Sequence, residues 1–249
     1  LKVKTNNKLM QQLLHLLKDN INNLSLSQLA FFNLLLSNMD PPTPLTEALK
    51  IAIPMIFNLH IAEQIDHENP EEVQKIFHHV TMTDMKVGTP ALMNIISSLA
   101  LHGTTHSVDT TISILMSITR LPTHVLQEPA TLKLFKNCFT ILNSSQTVFT
   151  DRNLLGNLVF RLIMMYKQSK FQIHEYYNEK FYNKVADYTI SDDLGFNKAY
   201  SLLCAFNDIS FVNYQLLDYI DRKIVQNDSI LKDLELGRLR DLIEGFCNA

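Results

Sequence analysis

Apolar residues recur along this chain at the three- and four-residue spacing of amphipathic helices, and polar or proline-bearing breaks separate the runs. Over 5–20, Leu9, Leu13, Leu14, Leu16 and Leu17 hold that spacing until Asn22-Asn23 ends it. Ser25 or Ser27 can cap a second helix to about Asn38, because a hydroxyl accepts the free amides of a first turn. Asp40-Pro41-Pro42-Thr43-Pro44 predicts a non-helical connection, with Pro44 as the first residue of a helix to about Ile65. Pro54 inside that helix predicts a kink or a break into two pieces. Asn69-Pro70-Glu71-Glu72 combines a cap, a first-position proline and carboxylates in the positive first turn, and opens a helix to about His79. Thr89-Pro90 opens the next, to about His102, with Gly103 as its stop. Ser107 caps one to about Thr119, Glu128-Pro129 starts one to about Leu142, and Thr150 starts another. The last run, Ile230–Phe246, places Leu231, Leu234, Leu239 and Leu242 at helical spacing. No segment alternates with the period of a strand, so the fold class is all-α.

Two stretches superimpose at an offset of 40 residues, Arg152–Val185 on Asp192–Val225. Asn157 aligns with Asn197, Leu162 with Leu202, Tyr166 with Phe206, Phe171 with Phe211 and Val185 with Val225. Each stretch is an apolar helix, a polar break and a second helix. Self-similarity at such a period marks stacked units, none of which can bury its apolar face alone. The expected architecture is an α-α solenoid: a right-handed superhelix of antiparallel helix pairs with about 40 residues per repeat. One array spans 1–249, its helix pairs falling roughly at 5–66, 70–120, 128–187 and 192–249.

Composition narrows the classes. Of 249 residues 46% are hydrophobic, enough for a continuous core, and the 6 glycines and 8 prolines are too few for a disordered or turn-rich chain. No run of 18 uncharged apolar residues occurs, so no membrane insertion is expected. Cys138, Cys204 and Cys247 are odd in number and widely spaced, which predicts buried, reduced thiols rather than a disulfide framework or a zinc cluster. The chain begins at Leu1, as a fragment or processed form would. A formal net charge of −3 weighs against a globally basic nucleic-acid binder and leaves room for a local stripe.

Candidate chemistry is sparse. His60, Glu63 and His67 fall at i, i+3 and i+7 but match no metal signature, and His78-His79 point about 100° apart on a helix, so no metal site is expected. There is no G-x-S-x-G elbow, no glycine-rich phosphate loop and no Cys in an activating pattern. The expectation is a protein without catalytic residues, cofactor or small-molecule substrate. The segment 167–184 differs, because its cations interleave with rings, as a single strand of RNA requires. The candidate RNA-binding residues are Arg152, Arg161, Lys167, Lys170, Tyr176, Tyr177, Lys180 and Lys184, while Phe171 and Phe181 read as core. Asn33, Asn94, Asn137, Asn157 and Asn197 stand near the start or middle of first helices, where a polar ladder could read bases or bond neighbouring helices.

Leu34–Pro42 (LLLSNMDPP), Ser98–Gly103 (SLALHG) and Ser201–Phe211 (SLLCAFNDISF) resemble the helix–break–helix units of the FAST kinase domain-containing proteins. In those proteins a small-residue leucine helix precedes an Asn-aromatic or Pro-rich turn and a second amphipathic helix. The resemblance implies a mitochondrial protein acting on RNA stability, processing or translation, without kinase chemistry. Family members usually continue into a C-terminal RAP domain, which this sequence does not show; it ends at Ala249 in helical sequence. The expected partner is single-stranded RNA. The alternative is a cytoplasmic scaffold of HEAT or armadillo type, which binds other proteins and no nucleic acid.

Overall fold

A computed structural model describes residues 3–4, 8–83, 85–103, 106–144, 152–169, 175–227, 229–232 and 234–247. Among them are fourteen α-helices: α1 (Lys8–Asn20), α2 (Leu26–Ser37), α3 (Pro44–Gln64), α4 (Pro70–Met82), α5 (Thr89–Leu101), α6 (Val108–Ile118), α7 (Thr123–Leu126), α8 (Pro129–Leu142), α9 (Arg152–Ser169), α10 (Glu175–Ser191), α11 (Phe196–Asn207), α12 (Tyr214–Gln226), α13 (Ser229–Lys232) and α14 (Leu236–Cys247). The extended residues among those described are β1 (Val3–Lys4) and β2 (Met39–Asp40), paired in parallel as Val3 with Met39 and Lys4 with Asp40. The protein is all-α. It divides into two compact units, Leu1–Cys138 and Phe139–Ala249, with the boundary inside α8.

The helix starts follow from local chemistry. Ser25 and Gln28 form a reciprocal capping box at α2, and Thr43 and Thr46 form another at α3, where Pro44 opens the helix. Asn69 accepts from the Glu72 amide at α4, and Ser107 from the Thr110 amide at α6. Three details differ from the sequence expectation. First, of the two outcomes expected at Pro54, the break into two pieces does not occur: α3 runs through it as one helix. Pro54 is buried, and its carbonyl also accepts the Asn58 side-chain amide at 2.7 Å. That amide donates to Lys86 O at 3.1 Å as well, and Asn58 Oδ1 takes the Gly88 N–H at 2.9 Å, so one side chain ties α3 to the segment that opens α5. Second, Gly103 follows α5 without a left-handed φ. A Cβ there would stand 2.3 Å from Asn137 Nδ2, so close approach of α8 is what requires glycine. Third, 230–246 is two helices, α13 and α14, rather than one run.

Packing follows a regular order within each unit. In the first, α2 packs on α3 and α4, α4 on α5 and α6, and α3 on α1 and α5. In the second, α9 packs on α10 and α11, α10 on α11 and α12, and α11 on α12 and α14. Helices two apart thus pack on each other from α1 to α6 and from α9 to α12. The core of the first unit contains Leu29, Ile53, Phe57, Phe77, Ile95 and Leu115, all fully buried. In the second unit Phe139 meets Phe181 edge-on, and Tyr182 and Phe206 both pack against Phe211. The Pro44–His67 stretch is long and apolar enough, by length and composition alone, to cross a membrane. Leu49, Ile53, Phe57 and Ile61 are buried within the protein, whereas Ile51, Met55 and Leu59 stay exposed.

Two of the aligned pairs behave alike. Leu162 and Leu202 are both buried, at 0% and 6% exposure, and Asn157 and Asn197 are both exposed. Val185 and Val225 part company, at 3% and 72%, because α12 lacks among the described residues the later neighbour that covers α10. Phe171 lies outside the described residues. Substituting Leu162→Ala or Leu202→Ala should each cost about 2–5 kcal/mol by urea unfolding, as expected for buried leucines. A silent variant at either position would break the equivalence.

A cationic surface and its neighbouring cavities

The eight residues proposed from sequence to contact RNA fare differently. Lys170 lies outside the described residues, as do the side chains of Arg152, Tyr176 and Tyr177. Arg161 on α9 and Lys180 on α10 are exposed. Lys167 is exposed but paired with Asp208 at 2.7 Å, across the 41 residues that separate neighbouring first helices. Lys184 is committed to the fold: its ammonium donates to Leu142 O at 3.0 Å and Ser144 O at 2.8 Å. Those carbonyls end α8, where the negative pole of the helix favours a cation. Burial, with the Lys180 ammonium adding to it, holds the Lys184 pKa below the ordinary lysine value. The structure therefore leaves Arg161 and Lys180 as the exposed cations of this set whose side chains are described and carry no ion pair, and gives Lys184 a structural role the sequence did not indicate.

The other candidates resolve into packing. Phe181 is fully buried, as expected of core. The asparagines do not form one ladder: Asn33 is buried and bonds Thr83 at 3.1 Å, and Asn137 bonds Ala100 O at 3.3 Å. Asn94 is half-buried, and Asn157 and Asn197 remain exposed. His67 sits in the 3-10 turn after α3 rather than on its axis, which takes it off the face of His60 and Glu63. Among the described residues no group of three His, Cys, Asp or Glu side chains is placed to hold a metal ion. Cys138 is buried and burial pushes its thiol up, Cys204 is half-buried, and Cys247 is exposed, contrary to the reading of three buried thiols. Cys247 ends α14, whose buried side is Leu242 and Gly245.

Sequence reasoning missed the concavities of the second unit. A cavity of about 610 Å³ opens between α9, α10 and α11, bordered by Gly156, Asn157, Phe160, Tyr188 and Lys198. A smaller one, about 370 Å³, lies between the start of α11 and the α13–α14 segment. Comparison with protein-family models, with curated proteins and with solved structures found no match to this chain.

Two outcomes follow. Lys184→Met should cost about 1–2 kcal/mol of stability, the scale of a partly buried cation at a helix C-terminus, whereas Lys167→Met should cost under about 1 kcal/mol as an exposed pair does. Thermal melting of both variants separates the roles. The second outcome concerns His78, His79 and His106, whose pKa values burial lowers from the usual 6.5; Arg120 adds to this for His78 and His78 for His79. With folded values below unfolded ones, their stabilisation is complete above about pH 6.5 and declines as the pH falls below it, because the unfolded chain then binds more protons. The melting temperature should drop between pH 7.5 and 5.5, and less so in a His78→Gln, His79→Gln variant.

Proposed function

We propose that this chain is an α-α helical-repeat protein, similar to the FAST kinase domain-containing proteins, and that it binds single-stranded RNA in mitochondrial RNA stability, processing or translation, without catalysis. The observation that carries this reading is the packing order. Helices two apart in the chain pack on each other, α1 on α3 through α4 on α6 in the first unit and α9 on α11 and α10 on α12 in the second, where these equivalent helices start about 40 residues apart. A stacked repeat presents the same helix face again and again, which suits an extended strand. The motifs behind the resemblance fall at the matching joints: Leu34–Pro42 covers the end of α2 and its proline-bearing turn, and Ser201–Phe211 the end of α11 and the turn into α12. Arg161 on α9 and Lys180 on α10 supply exposed positive charge.

A second reading, a protein-binding scaffold, is favoured by a different observation. Leu9, Leu13 and Leu16 form an exposed stripe on α1, and Leu236, Leu239, Ile243 and Phe246 form one on α14. Such contiguous apolar surface is what partner proteins cover.

Fluorescence anisotropy with a labelled single-stranded RNA decides between them. Binding should weaken as salt rises, with a slope in log–log form of about −0.7 for each phosphate contacted. Arg161→Glu with Lys180→Glu should weaken binding and flatten that slope, while duplex RNA should bind more weakly than the single strand. No binding at low salt would discard the RNA reading in favour of the scaffold.

A further inference from the structure

Two cavities of the second unit, those at Asn157 and at Asn197, are the same cavity one repeat apart. Asn157 borders the first and Asn197 the second, 40 residues on. The same offset carries Thr189 to Ser229, Leu194 to Leu234 and Lys198 to Arg238, and in each case the earlier residue borders the first cavity and the later one the second. Each concavity therefore offers the same small set: an amide, a hydroxyl, an aliphatic wall and a cation. The sequence alignment paired Arg152–Val185 with Asp192–Val225, so of these lining pairs only Asn157 with Asn197 belongs to it, and the other three extend the same offset independently.

The chemistry of the set is specific. Both asparagines are exposed, and among the described residues neither side-chain amide makes a hydrogen bond, so each presents a donor and an acceptor together. That pairing is what an asparagine needs to engage the edge of a base. Phe160, 54% exposed at the first cavity, offers a ring for stacking. Lys198 and Arg238 are the cations that border the two cavities, where a phosphate would accompany the base. The first cavity is also left open by its backbone: a Cβ placed on Gly156, inside α9, would meet nothing within 4 Å. A mid-helix glycine costs stability relative to any ordinary side chain, and here no close contact requires it. The second cavity has Phe196 at the corresponding position and is the smaller of the two.

We propose that the paired concavities at Asn157–Lys198 and Asn197–Arg238 each receive one unstacked base of a single-stranded RNA, so that successive repeats read successive bases. This rests on the RNA reading above and names the part of the surface that does the reading. The amide contacts the base edge, the ring and aliphatic wall hold its face, and the cation neutralises the adjoining phosphate. Recognition of one base per helical repeat by two or three side chains is physically sound because stacked helices repeat their surface at a fixed interval.

The experiment uses the full chain and homopolymeric RNAs of adenine, uracil and cytosine, each about twelve nucleotides long, in anisotropy titrations at several salt concentrations. Gly156→Leu fills the first cavity from a helix that gains propensity, so its melting temperature should hold or rise while affinity falls about tenfold with an unchanged salt slope. Asn157→Ala with Asn197→Ala, both at exposed positions, should alter the ranking of the three RNAs. Lys198→Ala with Arg238→Ala should keep the ranking and flatten the slope by about 1.4, two contacts at about 0.7 each. If Gly156→Leu fails to fold, the asparagine pair carries the test. RNA binding that ignores the cavity and asparagine variants, yet falls with Arg161→Glu and Lys180→Glu, overturns the paired-base inference and leaves the RNA reading standing. Absence of binding by the unsubstituted chain overturns both.

Discussion

α11 buries Ala199, Tyr200, Leu202, Leu203, Ala205 and Phe206, positions that cover more than half of its circumference. Such a helix cannot be satisfied by one partner: leaving part of that arc open would return about 25 cal/mol per Å² of apolar surface to water. It meets α9, α10, α12 and α14 instead. Tyr200 donates to Asp241 Oδ2 at 2.9 Å and Asn207 to Asp241 O at 3.0 Å, which fixes α14 against it. A Cβ on Gly245 would come within 2.9 Å of the Leu203 side chain, so that leucine packs directly onto the glycine backbone of α14. The same demand for cover on several sides sets the packing order of α2 to α6 in the first unit.

That demand also explains where polar groups go. The turn from α10 into α11 places Asp193 and Gly195 at positive φ and closes through Tyr219, whose hydroxyl donates to Asp193 Oδ1 and accepts from the Gly195 amide at 3.1 Å. Lys223 completes the arrangement with Asp193 at 2.7 Å. Lys184 does comparable work at the end of α8. Charges that look available in the sequence are thus drawn into the joints between helices, and the surface left for a ligand is smaller and more selective than the count of cations indicates.

The helices were legible because their signals are local. Ser25, Asn69 and Ser107 cap as their positions predict, and the fully buried leucines follow helical spacing. What escaped was set by neighbours distant in sequence. Nothing near Gly103 announces that Asn137 will press on it, and nothing near Lys184 announces the carbonyls of Leu142 and Ser144. Pro54 reads as a breaker, yet α3 continues because burial of Leu49, Ile53, Phe57 and Ile61 on either side of it in sequence outweighs one lost bond. The cavity residues left a trace all the same: Lys198 and Arg238 stand at the repeat offset, but a cation at one position per repeat is inconspicuous beside a segment crowded with lysines and tyrosines.

The clamp at Asn58 has a chemical side. Its amide nitrogen faces two carbonyl oxygens, those of Pro54 and Lys86, while its oxygen takes the Gly88 N–H. Hydrolysis of that single amide to a carboxylate, the slow spontaneous ageing of asparagine, would leave shape and volume almost untouched. It would nonetheless set an anionic oxygen against both carbonyls, turning two attractions into repulsions at the one side chain that ties α3 to the entry of α5. The age of a molecule, rather than any substitution in its gene, would then decide whether that joint holds.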